Sequence, residues 1–133
     1  MNGRNYLFDT NALIELFKGN QTLMQLYKQI DNVALSVISQ IEYLSFPSMT
    51  KEDLSLFEDF ADNSVIFDLI KKDKALIKLT SELRKKYSIR LPDALIASQA
   101  ILNNYILVSS DKGFKKITEL TLFDFNLQKS PFP

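Results

Sequence analysis

The sequence predicts an α/β fold, a mostly parallel sheet of four to five strands with helices on both faces. Three observations carry this. Short apolar runs recur at Tyr6-Leu7-Phe8, Val33-Ala34-Leu35, Val65-Ile66-Phe67 and Ile106-Leu107-Val108, the form of strands buried on both sides. The stretches between them carry apolar residues at helical spacing, and strands alternating with helices build parallel sheets. The first run ends at an acid, Asp9, and a helix opens immediately after it. In open α/β sheets the carboxyl ends of the strands are where ligands bind.

Taken in order, the first helix spans 10–18, with Ala12, Leu13, Leu16 and Phe17 as its stripe and Gly19 as a left-handed stop. A second helix fits 22–30, and Asp31-Asn32 reads as a turn. Ser36 caps a third helix, whose inner face would be Val37, Ile38, Ile41 and Leu44. Phe46-Pro47 ends it, because the residue before proline avoids the helical region. Thr50 and Asp53 form a capping box ahead of Leu54, Phe57, Phe60 and Ala61.

A long helix over 71–87 would bury Ala75, Leu76, Leu79, Leu83 and Tyr87, with Ile77 and Thr80 beside them, and turn a basic face to solvent. Pro92 fits the start of a helix over 92–102, where its missing amide hydrogen costs nothing. Phe114, Ile117 and Leu120 make a short amphipathic turn. Leu122-Phe123 reads as an edge strand, and the tail from Ser130 to Pro133 as irregular. No repeat, low-complexity segment or linker interrupts the chain, so residues 1–133 are expected to form one domain.

Composition narrows the chemistry by what is missing. The 133 residues include 16 Lys+Arg and 16 Asp+Glu, and neither His, Cys nor Trp. A balanced charge argues against binding to nucleic acid through a global field, while allowing a local basic rim. Without His or Cys there is no Ser-His-Asp triad, thiol nucleophile, disulfide framework or zinc site of the usual ligands. Neither a P-loop nor a dinucleotide-binding glycine motif is present. Hydrolysis would fall to carboxylates and a hard metal ion held by oxygen, for which Mg²⁺ and Mn²⁺ are suited. No secretory signal pattern or membrane-length apolar run occurs, so the cytoplasm is the expected compartment and no membrane partner is expected.

Four acids are placed unusually. Asp9 and Asp111 each follow an apolar strand. Asp93 shares a helix face with Ile96, Ala97 and Ala100, its i+3, i+4 and i+7 neighbours. Glu42 lies between Ile38 and Phe46 at i−4 and i+4. Each has an ordinary explanation: a helix cap for Asp9, a favourable charge in a first helical turn for Asp93, a half-exposed helix position for Glu42, a turn acid for Asp111. Together they read as a set. An ionised carboxylate buried without a partner costs several kcal/mol or more. Converging carboxylates raise each other's pKa, and a divalent cation removes the repulsion.

The stretches around these acids resemble a known family. Leu7-Phe8-Asp9-Thr10-Asn11-Ala12-Leu13, Ser36-Val37-Ile38-Ser39-Gln40-Ile41-Glu42-Tyr43-Leu44, Leu91-Pro92-Asp93-Ala94-Leu95-Ile96-Ala97 and Leu107-Val108-Ser109-Ser110-Asp111-Lys112-Gly113-Phe114 are similar, in order, to the successive motifs of PIN-domain ribonucleases. Size and motif order are most similar to VapC-type toxins of toxin–antitoxin pairs. The resemblance covers nearly the whole chain.

It implies a doubly wound sheet, a pocket of Asp9, Glu42, Asp93 and Asp111 holding Mg²⁺ or Mn²⁺, and endonucleolytic cleavage of RNA by a metal-activated water. Asn11 and Ser109 would orient the ligands from behind, and Lys112, Lys115 and Lys116, with the basic helix over 71–87, would collect the RNA backbone. A cognate antitoxin and a homodimer are the implied partners, and Phe46, Phe57 and Phe60 suit such surfaces or a core equally. One motif departs from the pattern. Many relatives carry a second acid two residues after Asp111, where this chain has Gly113, and Thr followed by Asn or Arg where it has Ser109-Ser110. The implied metal site is therefore thinner at its fourth corner, which keeps a non-cleaving binding module as the alternative. A flap-type DNA nuclease uses similar acids, but this chain is short and has no insertion to form a helical arch.

Overall fold

The computed structural model describes residues 4–127. Five strands, β1 (Asn5–Phe8), β2 (Asn32–Ser36), β3 (Val65–Phe67), β4 (Ile106–Val108) and β5 (Leu122–Phe123), form one sheet in the order β3-β2-β1-β4-β5. All four pairings are parallel. The expected α/β architecture, the strand positions and the edge strand at Leu122–Phe123 are borne out. The helices are α1 (Thr10–Phe17), α2 (Gln21–Tyr27), α3 (Val37–Leu44), α4 (Lys51–Asp62), α5 (Lys74–Tyr87), α6 (Leu91–Asn103) and α7 (Lys112–Lys115). Among the described residues no helix is long and apolar enough to cross a membrane.

The chain winds outward from β1 through β2 to β3, then crosses over through α5 and α6 to place β4 on the other side of β1. The sheet therefore reverses between β1 and β4, and doubly wound sheets open their ligand crevice at that reversal. Alternation along the strands divides two cores. Phe8, Leu35 and Val108 pack with Leu13, Leu23, Leu26, Phe57 and Phe60 on one side. Leu7, Ala34 and Leu107 pack with Leu83, Ile96, Ala97, Ala100, Phe114 and Ile117 on the other. Phe60 anchors the first core, stacked on Tyr27 at 5.5 Å and edge-on to Phe8 and Phe17 at 5.5 and 6.0 Å. Phe57 and Phe60 are thus core residues, whereas Phe46 stays exposed.

Local rules account for the helix ends. Gly19 takes φ 92° after α1, a backbone that glycine adopts without steric cost. The Thr50–Asp53 capping box forms in both directions. Some boundaries and faces differ from expectation. Asn20 caps α2 one residue early, and α2 stops at Tyr27, not residue 30. Asn32, read as a turn residue, begins β2. The helix expected from residue 71 begins at Lys74, capped by Asp73, because Lys72 sits at φ 63° and cannot continue a right-handed helix. In α5, Leu76, Thr80 and Leu83 are buried, while Ala75 and Ile77 face solvent.

The face of α3 is rotated from the expected one. Tyr43 and Ser39 are buried, and Ile41 and Leu44 are 58% and 49% exposed. Tyr43 stacks on Phe57 at 4.8 Å and meets Phe17 edge-on at 5.8 Å. Burying that ring outweighs burying two aliphatic side chains, and a shift of one position turns a helix by about 100°. The tail from Ser130 to Pro133 lies outside the described residues.

Candidate functional site

Asp9 follows β1 at the sheet's reversal and is only 5% exposed. Its Oδ1 accepts the Ala12 amide hydrogen at 2.8 Å, so it does cap α1. Capping occupies one oxygen and does not exclude a second role. Burial pushes the Asp9 carboxyl up to about 7. Hydrogen bonds from the Ser109 side chain and the Ala12 amide pull it back, and the charges of Asp111 and Asp93 push it further up. Asp9 is therefore in the field of two of the acids singled out in the sequence.

Asp111 follows β4, beside β1. It caps α7, its Oδ1 accepting from the Gly113 amide at 2.9 Å, and its own amide donates to Ser109 Oγ at 3.0 Å. Ser109 is buried and joins both acids of the reversal. A Cβ at Gly113 would lie 3.3 Å from Asp111 Oδ1, close enough that the carboxylate would have to shift by a few tenths of an ångström. Asp93 stands in the first turn of α6. Glu42 stands on α3 and accepts from the Thr10 hydroxyl at 2.6 Å.

These four acids line one cleft of about 470 Å³. Thr10, Asn11, Ile41, Ser45, Phe46, Arg90, Ile96 and Phe114 complete its wall. The donors toward the cleft are oxygens, the chemistry that suits a hard divalent cation. As the side chains stand, no three acids among the described residues are close enough to hold one ion. Each is engaged elsewhere: Glu42 by Thr10, Asp93 by Arg90, and Asp9 and Asp111 by backbone amides. Mutual repulsion favours that spread; it adds to the rise of the Asp9 carboxyl, which burial chiefly causes.

Three residues of this region escaped the sequence reading. Thr10, next to Asp9, reaches across to Glu42. Arg90 caps no amide with its side chain but pairs with Asp93 at 3.2 Å. The i, i+3 spacing of Arg90 and Asp93 at a helix start was the available signal. Asp124 follows β5 as Asp9 follows β1, and is buried against Lys115 at 2.8 Å. Burial pushes Asp124 up. The Lys115 ammonium and the Asn126 and Leu127 amides outweigh this and leave its carboxyl below the usual range. Lys115 is thus committed to an ion pair, whereas Lys112 and Lys116 are exposed beside it; none of the three lines the cleft.

Comparison with known proteins decides the family. The PIN domain family matches residues 6–120. The chain belongs to the PIN domain family. No curated protein matches it. Among solved structures, this PIN domain is similar to a toxin–antitoxin complex from Klebsiella pneumoniae, with 25% identity, a TM-score of 0.72 and coverage of 87% of this chain and 95% of that one. It is similar also to VapBC2 from Rickettsia felis bound to a DNA fragment from its promoter, with 28% identity, a TM-score of 0.72 and coverage of 89% and 96%. FitAcB from Neisseria gonorrhoeae shares the fold at 17% identity, with a TM-score of 0.69 and coverage of 92% and 99%. The VapC-type resemblance read from the four motifs is borne out.

Proposed function

We propose that this PIN domain is a Mg²⁺- or Mn²⁺-dependent endoribonuclease, the toxin of a type II toxin–antitoxin pair. The observation that carries the reading is the single cleft at the sheet's reversal, lined by Asp9, Glu42, Asp93 and Asp111 from four separate elements. PIN domains are in general nucleases, and similar structures come from toxin–antitoxin complexes.

Asp9, Asp93 and Asp111 would hold the ion, with Glu42 as a further ligand or as the base. Bound there, the ion supplies charge neutralisation at the phosphoryl group and a more acidic water. Glu42, steadied by Thr10, would accept the proton of the attacking water where it serves as the base. Ser109 keeps the Asp9 carboxylate aimed and holds the Asp111 backbone amide, and Asn11 closes the rim. An antitoxin would silence the cleft, and a homodimer is the assembly proposed for the toxin.

The test is incubation of the purified protein with single-stranded RNA, in Mg²⁺ or Mn²⁺ and in EDTA. Cleavage that requires metal and disappears in Asp9→Asn supports the reading. Intact RNA under every condition would instead favour the non-cleaving module.

A further inference from the structure

Among the described residues, Arg90 is the only cation that lines the acidic cleft. Its Nε and Nη2 donate to Asp93 at 3.3 and 3.2 Å, and both bonds end on one oxygen, Oδ2. Arg90 does not use Asp93 Oδ1. Its side chain is 74% exposed while that of Asp93 is 21% exposed, so the guanidinium sits at the mouth and the carboxylate lies deeper. The charges of Asp111 and Glu42 also act on Arg90, which places it in the field of three acids.

An exposed ion pair of this kind contributes little to stability. Holding α6 in place is therefore a weak reason for a cation at this point. A guanidinium presents several N–H donors in a flat fork that matches phosphate, and it cannot lose its proton. One divalent ion offsets only part of the charge of four carboxylates, and a positive group at the entrance eases the approach of a nucleic-acid phosphate.

We propose that Arg90 is the substrate-phosphate contact of the cleft. It rests on Asp93 Oδ2 in the free protein and turns to an RNA phosphate when RNA enters. The assignment rests on the nuclease reading above and goes beyond it, because it names the residue that brings the strand to the acids. The lysines after β4, expected from the sequence to collect RNA, do not reach the cleft wall.

The experiment measures binding of a fluorescein-labelled single-stranded RNA by fluorescence anisotropy, in Mg²⁺ and across roughly 50 to 200 mM salt. The proteins are Asp9→Asn, which leaves the RNA uncut, and the same chain carrying Arg90→Gln or Arg90→Lys. Mn²⁺ affinity of the single Arg90 variants is measured by calorimetry. Loss of one phosphate contact lowers the slope of log affinity against log salt by about 0.7 for a single strand. Arg90→Gln is expected to show that loss with about tenfold weaker RNA binding, while Arg90→Lys keeps the slope and recovers part of the affinity. Mn²⁺ affinity is expected to hold or rise, since a neighbouring cation has been removed.

An unchanged slope in Arg90→Gln overturns the assignment. So does a fall in Mn²⁺ affinity with RNA binding intact, which would make Arg90 a scaffold for Asp93. If the Asp9→Asn protein with Arg90 in place does not bind RNA at all and the wild type does not cut it, the nuclease reading falls and this assignment with it.

Discussion

Replacing Asp9 by Asn should stabilise the metal-free protein at neutral and higher pH. Asp9 is nearly fully buried, and its carboxyl is raised from 3.8 to about 7, first by burial and then by Asp111 and Asp93. A group whose folded pKa lies above its unfolded value holds its proton more tightly when folded. Its folded state is unpenalised below about pH 4, loses stability as pH rises toward 7, and carries the full penalty above that. A shift of roughly three units at 1.36 kcal/mol each sets that penalty at no more than about 4 kcal/mol.

Asn keeps an oxygen for the Ala12 amide and carries no charge. Urea unfolding in EDTA should find Asp9→Asn more stable than wild type by about 2–4 kcal/mol at pH 8, with the gap closing toward pH 4. Mn²⁺ should reverse the order, because an ion that binds only the folded carboxylate stabilises wild type by mass action. A variant no more stable than wild type at pH 8, or a gap independent of pH, would refute the argument that burial and neighbouring acids load this carboxylate.

Thr10→Val removes the 2.6 Å hydrogen bond to Glu42 and should slow RNA cleavage about tenfold, with Thr10→Ser restoring most of the rate in a single-turnover assay. Lys115→Met leaves Asp124 buried without its ammonium partner. It should lower unfolding free energy by about 1–3 kcal/mol at pH 7, less than for a fully buried pair because Lys115 is partly exposed. Since the Asp124 carboxyl lies below its usual range, that contribution is present at neutral pH and should fade as pH falls through the folded pKa. Phe60→Ala opens the aromatic cluster shared with Phe8, Phe17 and Tyr27 and should cost about 3–5 kcal/mol in urea unfolding.

Much of this was legible because the same residues serve two levels of structure at once. The apolar triplets reported the strands because a parallel sheet buries both faces, and Asp9 and Asp111 fell at the rim because Asp9 directly follows one triplet and Asp111 lies two serines beyond another. The rotation of α3 was not legible. Ile41 and Leu44 fit an apolar stripe as well as Tyr43 does, and the rings of Phe57 and Phe17, from other helices, decide between them. The pairings of Thr10 with Glu42 and of Lys115 with Asp124 join different elements, so spacing along the chain carries no sign of them. The acids were visible one by one, while their present partners required the fold.

The role of the cleft turns on whether one divalent ion draws these carboxylates together. Crystals soaked in Mn²⁺ and measured at its absorption edge would answer it. The account predicts an anomalous peak inside the cleft, at oxygen-ligand distance of about 2.0–2.3 Å from Asp9 and at least one of Asp93, Asp111 and Glu42. Saturating Mn²⁺ with no peak in the cleft, and with Asp93 still paired to Arg90, would contradict it.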